Sequence, residues 1–193
     1  PADLPPCPPM VRGIDAGGEA ACRQETLEEI RAELEGCRRC SLCRERRNIV
    51  FGVGNPRARL VFVGEAPGRE EDEKGEPFVG EAGRLLDRIL FAMGLGRHEV
   101  YICNVEKCRP PGNRDPAPDE IAACSEYLMT QIALIEPKVV CALGRFAAHA
   151  LIDSRLSMTR EHGKPRRMSG MVYLPIYHPA AALHQAKLID ALE

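Results

Sequence analysis

The chain has 193 residues, 45% of them hydrophobic and 28% charged, an ordinary globular composition that argues against wholesale disorder. Lys and Arg number 26 against 28 Asp and Glu, for a formal net charge of −2, which excludes a globally basic nucleic-acid binder while leaving room for local basic patches. Aromatic residues make up only 5% and tryptophan is absent, so aliphatic side chains must fill most of the core. No apolar run approaches the roughly 18 residues of a membrane span.

Residues 1–25 hold five of the 16 prolines and the pair Gly17-Gly18, which reads as a flexible tail ahead of a single folded domain over 26–193. The opening PADLPPCPPMVRG has no charged-then-apolar pattern, so export is not expected and a cytoplasmic setting is. Thr26-Leu27-Glu28-Glu29 has capping-box spacing, and Leu27, Ile30 and Leu34 recur at helical spacing up to Gly36. Four β-rich runs follow, at Leu60–Val63, Val100–Cys103, Val139–Ala142 and Val172–Ile176. The first three are near-continuously apolar, as strands buried on both faces are, and Pro175 places the fourth at an edge or a bulge. Between them lie helical stripes: Leu85, Leu86, Ile89, Leu90 and Met93 before Gly94; Ile121, Leu128, Ile132 and Ile135 before Pro137; and Phe146, Ala147, Ala150 and Leu151. The alternation predicts a three-layer α/β/α domain on a four-stranded parallel sheet, with right-handed crossovers.

Ligands of such sheets bind beyond the carboxyl ends of the strands. Glu65 follows the first predicted strand, Asn104 the second and His178 the fourth, while Gly144 opens a helix after the third. No G-x-G-x-x-G follows a strand, and there is no P-loop, H-E-x-x-H or zinc-deaminase signature, so dinucleotide, nucleotidase, zinc-peptidase and zinc-deaminase readings lose support.

Nine cysteines are the anomaly. An odd number with no secretion signal argues for a metal or cluster site in a reducing compartment rather than a disulfide framework. Cys37-x-x-Cys40 follows the first helix, Cys108 lies past the second strand and Cys124 falls in a helical stripe. Such a set suits zinc or a 4Fe–4S cluster, and Cys40-x-x-Cys43 is an equally good pair. The arginines at 38, 39, 44, 46 and 47 can stabilise thiolates or hold phosphates, or simply form a solvated face. Cys103 and Cys141, inside strands, read as small buried hydrophobes.

The ordered motifs resemble those of family 4 uracil-DNA glycosylases, the iron–sulfur branch of that superfamily. They are Cys37-x2-Cys40-x-Leu42-x3-Arg46-x3-Val50-Phe51-Gly52-x-Gly54-Asn55-Pro56; Gly64-Glu65-Ala66-Pro67-Gly68; Gly75-x-Pro77-Phe78-Val79-Gly80-x-Ala82-Gly83; Asn104-Val105-x-Lys107-Cys108-Arg109-Pro110-Pro111-x-Asn113-Arg114; and Tyr177-His178-Pro179. The resemblance implies a DNA-repair hydrolase that flips uracil out and cleaves its N-glycosidic bond, leaving an abasic site. It takes Cys37, Cys40, Cys108 and Cys124 as ligands of a structural 4Fe–4S cluster and leaves Cys43 over. Phe78 becomes the stacking platform, Asn104 the uracil reader and His178 the donor to the departing base. Glu65, Ala66 and Gly68 line the pocket. The better-known relatives carry Asp where Ala66 stands, so the attacking water falls to Glu65, Glu71 or Asn113. No lysine is placed for a Schiff base, so no lyase step is expected. The expected partner is uracil-containing DNA, single- or double-stranded, bound by a monomer through Lys107, Arg109 and Arg114, with Lys164 and Arg166 as further phosphate contacts and Leu183 as the wedge that fills the vacated stack. A non-catalytic DNA-binding module and an iron–sulfur electron carrier are the competing readings, and the carrier leaves Asn104, Phe78 and His178 without a task.

Overall fold

A computed structural model describes residues 18–184, with side chains over residues 26–183. Among the described residues six strands, numbered in chain order, form one sheet in the order β1-β3-β2-β4-β6-β5. Its centre is the predicted parallel set: β2 (Leu60–Gly64), β3 (Tyr101–Asn104), β4 (Val139–Leu143) and β6 (Met171–Ile176). Two short antiparallel strands add to the rims, β1 (Val53–Gly54) on β3 and β5 (Arg166–Met168) on β6.

The apolar strands alternate between two cores. Val61, Val63, Cys103, Val140 and Ala142 face one, with Leu27 and Leu34 of α1 (Gly18–Glu35), Leu128, Ile132 and Ile135 of α4 (Pro118–Ile135) and Ala147, Ala148 and Leu151 of α5 (Gly144–Leu151). Phe62, Ile102, Cys141 and Leu143 face the other, with Leu86 and Leu90 of α3 (Glu81–Ala92). Both faces of the sheet are therefore covered, the condition for continuous apolar strands. The short α2 (Arg69–Lys74) follows the first strand turn, α6 (Met158–Glu161) precedes β5, and α7 (Pro179–His184) packs on α3.

Three expectations change in detail. α1 begins at Gly18, so Thr26 lies inside the helix rather than at its cap, and residues 1–17 of the expected tail lie outside the described residues. Pro175 lies within β6, next to the rim strand: it is paired beside Ala142, and its carbonyl accepts from the Gly163 amide at 2.8 Å. Because the N–H and C=O of one strand residue point the same way, its missing donor faces away from β4 and costs no bond of the parallel ladder. Met93 and Ala150, counted into apolar stripes, are exposed, since Met93 is already the cap residue of α3 and Ala150 lies on the outer face of α5.

Candidate active site and cysteine cluster

Strand register brings the site together. Gly64 pairs with Asn104, and Leu143 with Ile176, so the segments leaving β2, β3, β4 and β6 open on the same end of the sheet. A cavity of about 180 Å³ there is lined by Glu65, Ala66, Gly68, Phe78, Asn104, Arg114 and His178, all named from the sequence. Glu71, Ala82, Pro110, Asn113 and Ala180 complete much of the wall.

Asn104 and Phe78 meet over a glycine. A Cβ on Gly64 would stand 2.3 Å from Asn104 Oδ1 and 2.6 Å from Phe78 Cζ, so no other residue lets amide and ring approach this closely. Asn104 is 2% exposed, yet among the described residues its Oδ1 has no hydrogen-bond partner. A buried, unpaired acceptor costs about 1–3 kcal/mol unless something fills it, which marks the place of a ligand donor. Asn104 is anchored through its carbonyl, which accepts from Lys107 Nζ at 2.8 Å. Lys107 in turn donates to Gln131 Oε1 at 2.6 Å, and Gln131 Nε2 donates to Tyr101 Oη and the Phe51 carbonyl. Lys107 is fully buried, which corrects its assignment as a phosphate contact: its ammonium holds the strand end from inside.

Phe78 adopts a left-handed backbone, φ 54°, and its ring stacks beside His178 with centroids 5.6 Å apart. Burial lowers His178 from the ordinary histidine value to about 4, against the opposing pull of the Glu71 charge. The imidazole is therefore neutral at pH 7. Its Nδ1 accepts from the Ala180 amide at 3.1 Å, which fixes the tautomer and leaves Nε2–H as the donor. Gly144 is also demanded here, because a Cβ would meet His178 Cβ at 2.9 Å on a backbone at φ +83°.

Three groups were candidates to hold water. Glu71 is committed to the scaffold: Oε2 accepts from the Gly68 amide, and Oε1 from the Val79 and Gly80 amides. Asn113 Oδ1 accepts from Arg109 Nε at 2.7 Å. Glu65 remains, with burial and the Asp115 charge raising its carboxyl to about 7 and Arg145 opposing.

The expected phosphate contacts are spread out. Arg114 reaches the cavity but is bidentate on Glu120, at 2.7 and 2.8 Å, and Ser41 Oγ donates to the same carboxylate. Arg166 pairs with Glu161 at 3.0 Å, and Lys164 is exposed. Leu183 is half-buried on α7. Arg109, Lys164, Arg166 and Leu183 are not among the cavity walls.

The four expected cysteines come from three segments of the chain. Cys37 and Cys40 follow α1, Cys108 leaves β3 two residues before Pro110, and Cys124 sits on α4. They are electrostatic neighbours: Cys40 feels Cys37, Cys124 feels Cys40, and Cys108 feels both Cys124 and Cys40. Burial pushes Cys108 up to about 12 even though Arg46 Nη1 donates to its sulfur at 3.3 Å. Thiols so placed ionise together only when a metal centre neutralises them. Among the described residues no group of three or more His, Cys, Asp or Glu converges closely enough for a single metal ion. Four thiols brought from three separate segments are a donor set that either a tetrahedral zinc or a 4Fe–4S cluster takes. Among the described residues no helix is long and apolar enough to cross a membrane.

The profile of the Uracil DNA glycosylase superfamily matches residues 51–192. The type-4 uracil-DNA glycosylase of Archaeoglobus fulgidus is 47% identical over 180 residues, covering 88% of this chain and 89% of that protein. That of Thermotoga maritima is 45% identical over 163 residues, 83% and 85% of the two chains. A type-5 uracil-DNA glycosylase of Thermus thermophilus is 35% identical over 118 residues, 53% of each. By this extent of similarity, and with every expected pocket motif converging on one cavity, the chain belongs to the type-4 family of the uracil-DNA glycosylase superfamily.

Proposed function

We propose that this protein removes uracil from DNA by hydrolysing its N-glycosidic bond, leaving an abasic site. The observation that carries the proposal is the unpaired Asn104 Oδ1, buried beside an aromatic ring at the end of the sheet. An amide offers one acceptor and one donor side by side, which match uracil N3–H and O4. Cytosine presents a lone acceptor and a donor in their place, and a buried site built on such pairs discriminates by up to about 10⁴–10⁵.

The reacting base must leave the duplex stack to enter a pocket this deep. Phe78 receives its face, a contact worth about 1–3 kcal/mol in comparable stacks. As the C1′–N1 bond breaks, its electron pair goes to N1 and spreads onto O2 and O4. His178 Nε2–H hydrogen-bonds O2 as that charge grows, and the neutral imidazole keeps its proton. Water then adds to C1′ and gives its proton to the Glu65 carboxylate. Arg109, Arg114, Lys164 and Arg166 hold phosphates, three of them from positions already partnered within the protein, which keeps the electrostatic contribution to affinity modest.

Cys37, Cys40, Cys108 and Cys124 would hold a 4Fe–4S cluster whose iron–thiolate bonds cross-link the loop after α1, the exit of β3 and α4. Cys108→Ser is expected to bleach the brown protein and lower its melting temperature, whereas Cys43→Ser keeps both. Iron and sulfide analysis alongside visible absorption checks this, and stoichiometric zinc without iron in anaerobically purified protein refutes the cluster.

The activity is tested with a uracil-containing oligonucleotide in EDTA, followed by alkali. Strand scission at the uracil position is the expected result. Binding without scission would establish a non-catalytic module instead.

A further inference from the structure

Phe78 is a bulky residue held where L-amino acids rarely go, at φ 54°. Such a backbone relaxes unless its surroundings over-determine it. Two side chains of opposite charge do so here. On one side, Glu71 Oε1 takes the Val79 and Gly80 amides at 2.9 and 2.8 Å. On the other, the Arg97 guanidinium takes the two preceding carbonyls: Nη1 donates to Pro77 O at 3.2 Å and Nη2 donates to Phe78 O. Arg97 comes from the loop after α3, and its Nε is tied back to Asp87 on that helix at 2.6 Å. The first turn of α3 closes the remaining side, since a Cβ on Gly83 would lie 1.8 Å from Phe78 O.

Arg97 is not among the cavity walls. If its fork releases those two carbonyls, the peptide between Phe78 and Val79 keeps only the Glu71 bond to its amide, and the backbone loses the restraint on its carbonyl side that seats the ring over Gly64. A guanidinium suits the task because it presents several donors in one rigid plane, whereas an ammonium is a point charge that cannot span two carbonyls and a carboxylate.

We propose that Arg97, anchored on Asp87, is the positioning residue for the stacking platform, holding Phe78 in its strained conformation so that uracil meets a preformed aromatic face. This rests on the reading of Phe78 as the base-stacking residue. Arg97 acts through Phe78 and touches no substrate atom.

The test is a double-mutant cycle on the cluster-loaded protein with Arg97→Ala, Phe78→Ala and the double variant, followed by Arg97→Lys and Asp87→Asn. Single-turnover excision from a uracil oligonucleotide is measured beside binding to the same DNA carrying a tetrahydrofuran abasic site, which offers no base to stack. Phe78→Ala is expected to slow excision by about 10–100-fold, the scale of a lost base–aromatic stack. Arg97→Ala is expected to slow it about tenfold, with abasic-DNA binding unchanged, and to add less than about twofold in the Phe78→Ala background. Arg97→Lys fails to restore the rate, and Asp87→Asn, which leaves the guanidinium in place but loosens its anchor, shows a smaller loss of the same kind. Multiplicative effects in the double variant, or a normal rate in Arg97→Ala, overturn the proposal while leaving Phe78 as the platform. A normal rate in Phe78→Ala overturns both, because Arg97 then has nothing to position. Should Arg97→Ala lose its colour or fold, Asp87→Asn in the two Phe78 backgrounds decides by the same comparison.

Discussion

Asn104→Ala is expected to lower kcat/KM on uracil DNA by about 10²–10⁴-fold while leaving the melting temperature no lower than that of the parent. Two uracil groups, N3–H and O4, would enter the buried pocket without partners, at about 1–3 kcal/mol each. The free protein loses little, because Asn104 Oδ1 is already unpaired there and Lys107 grips the backbone carbonyl rather than the amide. A group that costs stability in the empty protein and is satisfied only by substrate is the pattern expected of a specificity residue. Asn104→Asp, which places an acceptor opposite O4, is expected to lose uracil excision as well. Thermal melting beside single-turnover excision checks the split; a rate within tenfold of the parent removes Asn104 from the reading of uracil.

His178→Ala is expected to cut single-turnover excision by about 10²–10³-fold with DNA affinity nearly unchanged, the scale of losing one preorganised donor to a developing oxyanion. The hydrogen bond strengthens mainly as charge appears on the base, so it contributes to the transition state rather than to binding. The pH profile separates this role from proton transfer. His178 titrates at about 4, so between pH 5 and 9 the ring stays neutral and adds no step to the profile. Glu65 titrates at about 7. Below that value its carboxyl is protonated and cannot accept from water, so the rate rises as pH increases through about 7. Glu65→Gln is expected to flatten that rise. A His178→Ala protein with a near-normal single-turnover rate would mean that the histidine only braces the end of β6.

The central sheet was legible because burial on both faces leaves unbroken apolar runs, and because Gly94 and Pro137 punctuate the helices between them. The pocket followed from topology, since Glu65, Asn104 and His178 each lie at or just past the carboxyl end of a parallel strand. Charged residues were legible only as charges. Lys107 sits between Val105 and Cys108 in a loop rich in arginine and proline, and nothing in that pattern says that Gln131, 24 residues on, turns its ammonium inward. Arg114 likewise reads as a free cation until Glu120 folds back onto it within the first turn of α4. The left-handed backbone of Phe78 was hidden for a related reason: its causes, Glu71 and Arg97, lie 7 residues before it and 19 after it. Two glycines of the quoted motifs bear on the place, Gly64 and Gly83, each required by an approach closer than a side chain allows.

The two rim strands have a bearing on how the protein behaves in a crowded solution. Tyr101–Asn104 of β3 is wholly buried, and such a row, bare along one side, would recruit a strand from another molecule. β1 covers it with only two residues, Val53 and Gly54, and it lies flat there because Gly54 has no Cβ to strike the Val100 carbonyl 2.0 Å away. At the far rim, β5 ends the sheet with three residues, two of them arginines, and charge at an outer edge discourages further pairing. The rims thus terminate the sheet instead of extending it. Any side chain at position 54 would pry β1 away and bare one edge of the wholly buried β3, so the first consequence of that change would be self-association through β3 rather than a loss of base recognition.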